Sequence, residues 1–291
     1  METITEKVFS IKERLAKEFA PIDAIGVTGQ MHGILYIDKE GIAVSPLYTW
    51  QDKSGELKYN DTTFSEYLAD ITGFNAPSGY GLVTDFVNRK LSRVPENAAG
   101  LCNIQDYITM KLAGGKTPVT HISNAAGLGF YSFETFDFDS SALEKIGCDR
   151  KMLPRVTAEP EVIGTDSKGI PVTVAVGDNQ ASFLGSVTNK ESVLVNIGTG
   201  SQVSVLTDKK AALQRVKYAR FQKPKICLWV RPFAAVGPMH FLKAFLKKRL
   251  IASAWQPIIS ILLWIKWRWK IRIIVLFRLI RAFAVQDASR I

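Results

Sequence analysis

Apolar residues at Val8, Ile11, Leu15 and Phe19, with charges between them, have helical spacing over residues 5–19, and Pro21 ends that helix. Two short apolar runs follow, AIGVT at 24–28 and ILYI at 34–37, and both read as strands. The DKEG turn at 38–41 lets ILYI pair with the IAV run behind it as a hairpin. Residues 64–72 and 103–112 read as helices, and LAGGKTPV as a loop. PVTVAV at 171–176 is β-branched and continuously apolar, as a buried strand would be, and a helix starts within 179–184. SVLVN at 192–196, the turn GTGS and residues 202–206 form a strand, a tight turn and a returning strand. Helices alternating with strands predict an α/β fold.

Charge divides the chain in two. The first 210 residues carry 20 basic and 26 acidic residues, a net of −6, while residues 211–291 carry 17 basic residues and the single acid Asp287, a net of +16. Five of the six tryptophans and only one of the 21 glycines, Gly237, lie in that tail. Cys102, Cys148 and Cys227 are far apart and match neither a disulfide scaffold nor a metal-ligand spacing. The N-terminal stretch has charges throughout and no apolar signal core, so the body reads as cytoplasmic.

Three stretches could carry chemistry. In VAVGDNQASFLGS (174–186) a strand ends in Gly177-Asp178 and a helix begins, so Asp178 sits at a strand mouth beside a helix N-terminus expected to keep it ionised. Asp178 is either a helix cap or a catalytic base. In VNIGTGSQVSV (195–205), Gly198, Thr199 and Gly200 form either a plain glycine hairpin or a nest of N–H groups suited to phosphate oxygens. In GVTGQMHGILYID (26–38) and LYTWQDKSG (47–55), Gln30, His32, Gln51 and Asp52 offer donors and acceptors for a polyol, and the lone His32 is either such a contact or a structural histidine. The Trp50 indole could cover sugar C–H faces, or anchor its loop half-buried.

The order GQMHG, WQD, SNAAG (123–127), GDNQAS and NIGTGSQ resembles the FGGY carbohydrate kinases over nearly all of residues 1–207. GDNQA, and a WQD followed by Ser54 where xylulokinases usually have Arg, look most like the sedoheptulokinase branch. The resemblance implies an actin-like/ribonuclease-H-like sugar kinase fold, incomplete here, with ATP and a small-molecule sugar meeting between two domains. It implies Asp178 as the base, a sugar site of Gln30, Met31, His32, Trp50 and Asp52, phosphate binding by Gly198, Thr199 and Gly200, and Mg²⁺ bridging the phosphates. Residues 1–186 would be the sugar domain without its first hairpin, residues 187–210 the start of the ATP domain, and the chain as it stands inactive. The oligomeric state is not implied.

Nothing after Asp208 reads like the family. Trp255 to Phe283 is apolar with Trp264, Trp267 and Trp269 among basic residues, as in an interfacial helix, but Lys266, Arg268, Lys270, Arg272 and Arg278 make it a poor membrane span. Freely chosen third bases allow the codons for Arg231 to Lys243 to be read one base earlier as AVCGGRAYAFLE, a glycine-pair segment resembling the family's adenosine site. The tail is therefore expected to be out of frame, with the junction between Asp208 and Val216, and neither a membrane nor a nucleic-acid arm. The alternative is a sugar-binding protein with a membrane-surface tail and no kinase activity.

Overall fold

The computed structural model describes residues 1–75, 77–187, 192–197, 201–207, 216–222 and 225–230. The chain divides into two compact units, Met1–Gly185 with Ala219–Cys227, and Ser186–Tyr218 with Leu228–Ile291.

The described helices are α1 (Glu2–Glu18), α2 (Phe64–Thr72), α3 (Gly81–Lys90), α4 (Ile104–Leu112), α5 (Ile122–Leu128), α6 (Ser140–Ile146) and α7 (Asp178–Ser186). Local signals set the ends of several. Thr63 and Glu66 form a reciprocal capping box that starts α2, and Gly73, at φ 77°, closes it in a conformation that glycine adopts without strain. Asn103 starts α4 by accepting the Asp106 N–H at 2.8 Å. The charged surface of α1 is interrupted by Lys12, which is buried against Asp166 at 2.8 Å.

The ILYI run is a strand over Leu35–Ile37, paired antiparallel with Gly100–Cys102, and Ile37 also bridges Ala43 as the expected hairpin requires. Its side chains alternate between two cores. Ile34 and Tyr36 join the cluster of Leu68, Leu82, Phe86 and Leu128, while Leu35 and Ile37 join that of Ile104, Tyr107, Ile108 and Val172. Burial on both faces explains why the run is continuously apolar. Gly33 precedes it, and a Cβ there would lie 2.3 Å from the Tyr48 carbonyl oxygen.

The expected 24–28 and 171–176 strands are each broken. Ile25 bridges Val172, and Thr28–Gly29 pairs parallel with Val176–Gly177. Pro171–Thr173, which includes Val172, also pairs antiparallel with Val162–Thr165. Val193–Ile197 and Ser201–Thr207 form the expected antiparallel pair. The turn joining them, Gly198, Thr199 and Gly200, lies outside the described residues. In the tail, Val216–Gln222 and Lys225–Val230 are strands, and its other residues lie outside the described ones.

A polar layer is buried between α4, α5 and the strand end before α7. Gln105 Nε2 donates to Asn124 Oδ1 at 3.0 Å, and Asn124 Nδ2 donates to Asp106 Oδ1 at 3.2 Å and to the Ala175 carbonyl at 3.1 Å. Burial pushes the Asp106 carboxyl from 3.8 up to about 7, against the pull of its hydrogen bonds. Burial pushes the His121 imidazole the other way, from 6.5 down to about 4.

Two sets of predictions follow from this architecture. Gly33→Ala should cost about 1–3 kcal/mol, because backbone must give way. Gly185→Ala, with open space around its Cβ position within a helix, should be neutral or gain up to about 1 kcal/mol. Urea melts would compare the two, and equal costs would overturn the packing argument. The second set concerns pH. The folded chain binds a proton at Asp106 near pH 7 and the unfolded chain only near 3.8, so acidification through this window stabilises the fold. At His121 the unfolded chain protonates near 6.5 and the folded chain near 4, so acidification destabilises it. Asp106→Asn should therefore melt lower as pH falls from about 6.5 to 4, and His121→Asn should melt higher from about 7 to 4. Parallel pH profiles for the two variants would reject this assignment.

Candidate functional site

The parallel register sets Thr28 opposite Val176 and Gly29 opposite Gly177. Residues that follow the two strands therefore emerge side by side: Gln30, Met31 and His32 from one, Asp178 and Asn179 from the other. Gly177 makes this possible, since a Cβ there would lie 2.7 Å from Gln180 Oε1, 2.8 Å from Met31 Sδ and 3.1 Å from Asn124 Oδ1. Met31 is buried and lies 3.8 Å from Asn179 Nδ2.

Asp178 is the first residue of α7, and its Oδ1 accepts the Asn179 N–H at 2.7 Å. That bond suits a helix start and also fixes the carboxylate. Burial raises its pKa, and the backbone N–H groups of Asn179 and Asp178 only partly offset the rise. A carboxylate with a raised pKa is a stronger base than a solvated one.

His32 has φ 81°, a left-handed conformation that a non-glycine residue holds only when its surroundings fix it. Its Nδ1 donates to the Gly127 carbonyl at 2.7 Å, and its ring stacks on Tyr80 with centroids 4.4 Å apart. Gln30 Nε2 is buried without a hydrogen-bond partner among the described residues.

Trp50 and Asp52 occupy an open recess lined also by Gln51, Lys53, Glu56 and Ser78. Trp50 is 54% exposed. Asp52 Oδ1 accepts the Ser54 N–H at 2.9 Å and also the Ser54 hydroxyl. The loop is held close: a Cβ on Gly79 would lie 2.2 Å from the Trp50 carbonyl oxygen, and Ser78 Oγ donates to the Asp52 carbonyl at 2.9 Å. The structure thus brings Gln30, Met31 and His32 out beside the strand end that leads into Asp178, and links the Trp50–Asp52 loop to His32 through the neighbours Gly79 and Tyr80. Gly198, Thr199 and Gly200 lie outside the described residues.

Sequence reasoning missed Tyr80, Asn124 and Asn179. Asn124 sits in the SNAAG motif, but its partners Gln105, Asp106 and Ala175 come from distant segments. Among the described residues, no group of three or more His, Cys, Asp or Glu could hold a metal ion, and no helix is long and apolar enough to cross a membrane.

Residues 1–185 match the N-terminal domain of the FGGY family of carbohydrate kinases. Mouse sedoheptulokinase is 30% identical over 210 residues, covering 63% of this chain and 42% of that protein. Xylulose kinase of Streptomyces rubiginosus is 28% identical over 204 residues, 65% of this chain and 42% of that protein. Glycerol kinase of Pseudomonas syringae is 28% identical over 200 residues, 65% and 40%. The chain thus spans less than half the length of these relatives. Among solved structures, ligand-bound xylulose kinase from Lactobacillus acidophilus superposes with a TM-score of 0.68 at 18% identity, covering 87% of this chain and 54% of that one. Plasmodium falciparum glycerol kinase with ADP gives 0.62 at 19%, covering 85% and 54%. The fold is the actin-like fold of sugar kinases, as the motif order implied, and with 1–185 matched the chain belongs to the FGGY family of carbohydrate kinases.

Proposed function

We propose that this chain provides the sugar side of an ATP-dependent sugar phosphotransferase, with a ketose such as sedoheptulose as acceptor and Asp178 as general base. The observation that carries it is the parallel pairing that sets Gln30–His32 beside Asp178 at the start of α7. In this reading Gln30, His32, Trp50 and Asp52 hold the sugar hydroxyls and C–H faces, and buried Met31 supports them. Asp178 accepts the proton of one hydroxyl as its oxygen attacks the γ-phosphate, and the Asn179 N–H keeps the carboxylate aimed. ATP and its Mg²⁺ belong with the turn Gly198, Thr199 and Gly200, where the metal would supply charge neutralisation. The described residues offer no cluster of His, Cys, Asp or Glu for that ion. A cytoplasmic location is part of the same reading.

We further propose the division 1–186 sugar domain, 187–210 start of the ATP domain and 211–291 out-of-frame tail. The change in net charge from −6 to +16 at that boundary supports it. Resequencing the DNA should find a one-base insertion or deletion in the codons for 208–216. An intact, unshifted gene would reject the tail assignment.

In the smallest form of the protein that phosphorylates a sugar, Asp178→Asn should lower kcat by at least about a hundredfold and leave the sugar KM nearly unchanged. Near-normal turnover would reduce Asp178 to a helix cap. In the parent protein, kcat should fall on acidification through a pKa above the ordinary carboxylate value, because the protonated base cannot accept a proton. A panel of sedoheptulose, xylulose and glycerol, read by quenching of Trp50 against a Trp50→Phe control, should give saturation at the lowest concentration with sedoheptulose. Preference for either other compound would replace the acceptor assignment.

A further inference from the structure

Gly177, the residue before Asp178, is held from behind by the start of α5. Its N–H donates to Ser123 Oγ at 3.0 Å. Ser123 Oγ in turn lies 2.8 Å from His121 Nδ1, and that same nitrogen accepts the Ser123 backbone N–H at 3.2 Å. A nitrogen that accepts an N–H carries no proton, so the Ser123 hydroxyl must donate to it. The hydroxyl, normally a free rotor, is thereby locked with a lone pair toward Gly177.

The rest of the imidazole is fixed as well. The Ala158 backbone takes its other N–H, which sets the tautomer, and burial keeps the ring neutral. His121 and Ser123 are both buried, at 3% and 0% exposure. The next residue, Asn124, donates to the Ala175 carbonyl at 3.1 Å. Consecutive residues of α5 therefore grip the Ala175 carbonyl and the Gly177 N–H, on the edge opposite the one where Val176 N–H donates to Val27.

Resting on the reading of Asp178 as the base, we propose that His121 is a positioning residue: through the Ser123 hydroxyl it fixes the Gly177 peptide and so aims the Asp178 carboxylate at the sugar hydroxyl. The strand pairing alone leaves the Gly177 peptide free to tilt, because glycine has no side chain to hold it. The His121–Ser123 bonds remove that freedom immediately before the base, where small misplacements cost the most rate.

The test combines NMR on the labelled full chain with kinetics on the sugar-phosphorylating form. At neutral pH His121 should show an unprotonated Nδ1 and a protonated Nε2. Ser123→Ala and His121→Leu should each move the Gly177 amide proton upfield and shift the Asp178 carboxyl titration midpoint. Each should also lower kcat about tenfold while KM changes less than about twofold. Ser123→Thr keeps the hydroxyl, and His121→Asn places an acceptor where Nδ1 lies, so both should recover most of the kcat and the parent amide shift. An unmoved Gly177 amide and Asp178 midpoint in Ser123→Ala would overturn the inference, whatever its melting temperature. If Ser123→Ala does not fold, identical spectra for His121→Leu and His121→Asn would overturn it instead. An active Asp178→Asn would remove the base reading, whereas an inactive one with an unperturbed Ser123→Ala would remove only the positioning role.

Discussion

The short parallel pairing of Thr28–Gly29 with Val176–Gly177 is the constraint on which the candidate site depends. It joins segments nearly 150 positions apart, and it works only because position 177 has no side chain. Any Cβ there would push into Gln180, Met31 and Asn124 together, and these are the groups that pack behind the candidate base. Such a contact tolerates no gradual adjustment, because the interior around it is close-packed.

Around that pairing the protein buries polar groups. Gln105, Asp106, Asn124, Ser123 and His121 are all inside, and each makes at least one hydrogen bond. A buried network of this kind specifies geometry at the cost of desolvation. The cost shows in the protonation states. Asp106 is pushed up and His121 down, so both approach neutrality and their acid responses oppose each other. The layer therefore supports the strand end before α7 without placing full charge behind Asp178.

The relatives bear the names of kinases of sedoheptulose, xylulose and glycerol at nearly equal identity, 30%, 28% and 28%. One scaffold thus carries different acceptor chemistries, which agrees with function residing in sites and not in folds. Ser54 turns its N–H and hydroxyl onto Asp52, so it fixes that carboxylate from within its own loop, and Trp50 stays exposed beside it.

Signals within one segment determined much of this protein. The helical spacing of α1, the capping box before α2, the Asn103 cap and the two-faced apolar run at 34–37 are each encoded by near neighbours in sequence. The order of glycine-bearing motifs likewise determined the family, and Asp178 at a strand-to-helix boundary was readable from VAVGD followed by a helix. Helix α3 was not, because Thr84, Asp85 and Asn88 interrupt its apolar pattern, and Asp85 and Asn88 both bond the distant Tyr36 only in the tertiary fold. Asp85 accepts from Tyr36 and Arg89, and Asn88 donates to Tyr36. The raised pKa of Asp178 was likewise decided by tertiary burial, which reversed what the helix terminus alone predicts. The same holds for Tyr80 under His32, Asn124 on Ala175 and Ser123 on Gly177. A linear sequence records what a residue can bond, but only packing brings its partner within reach.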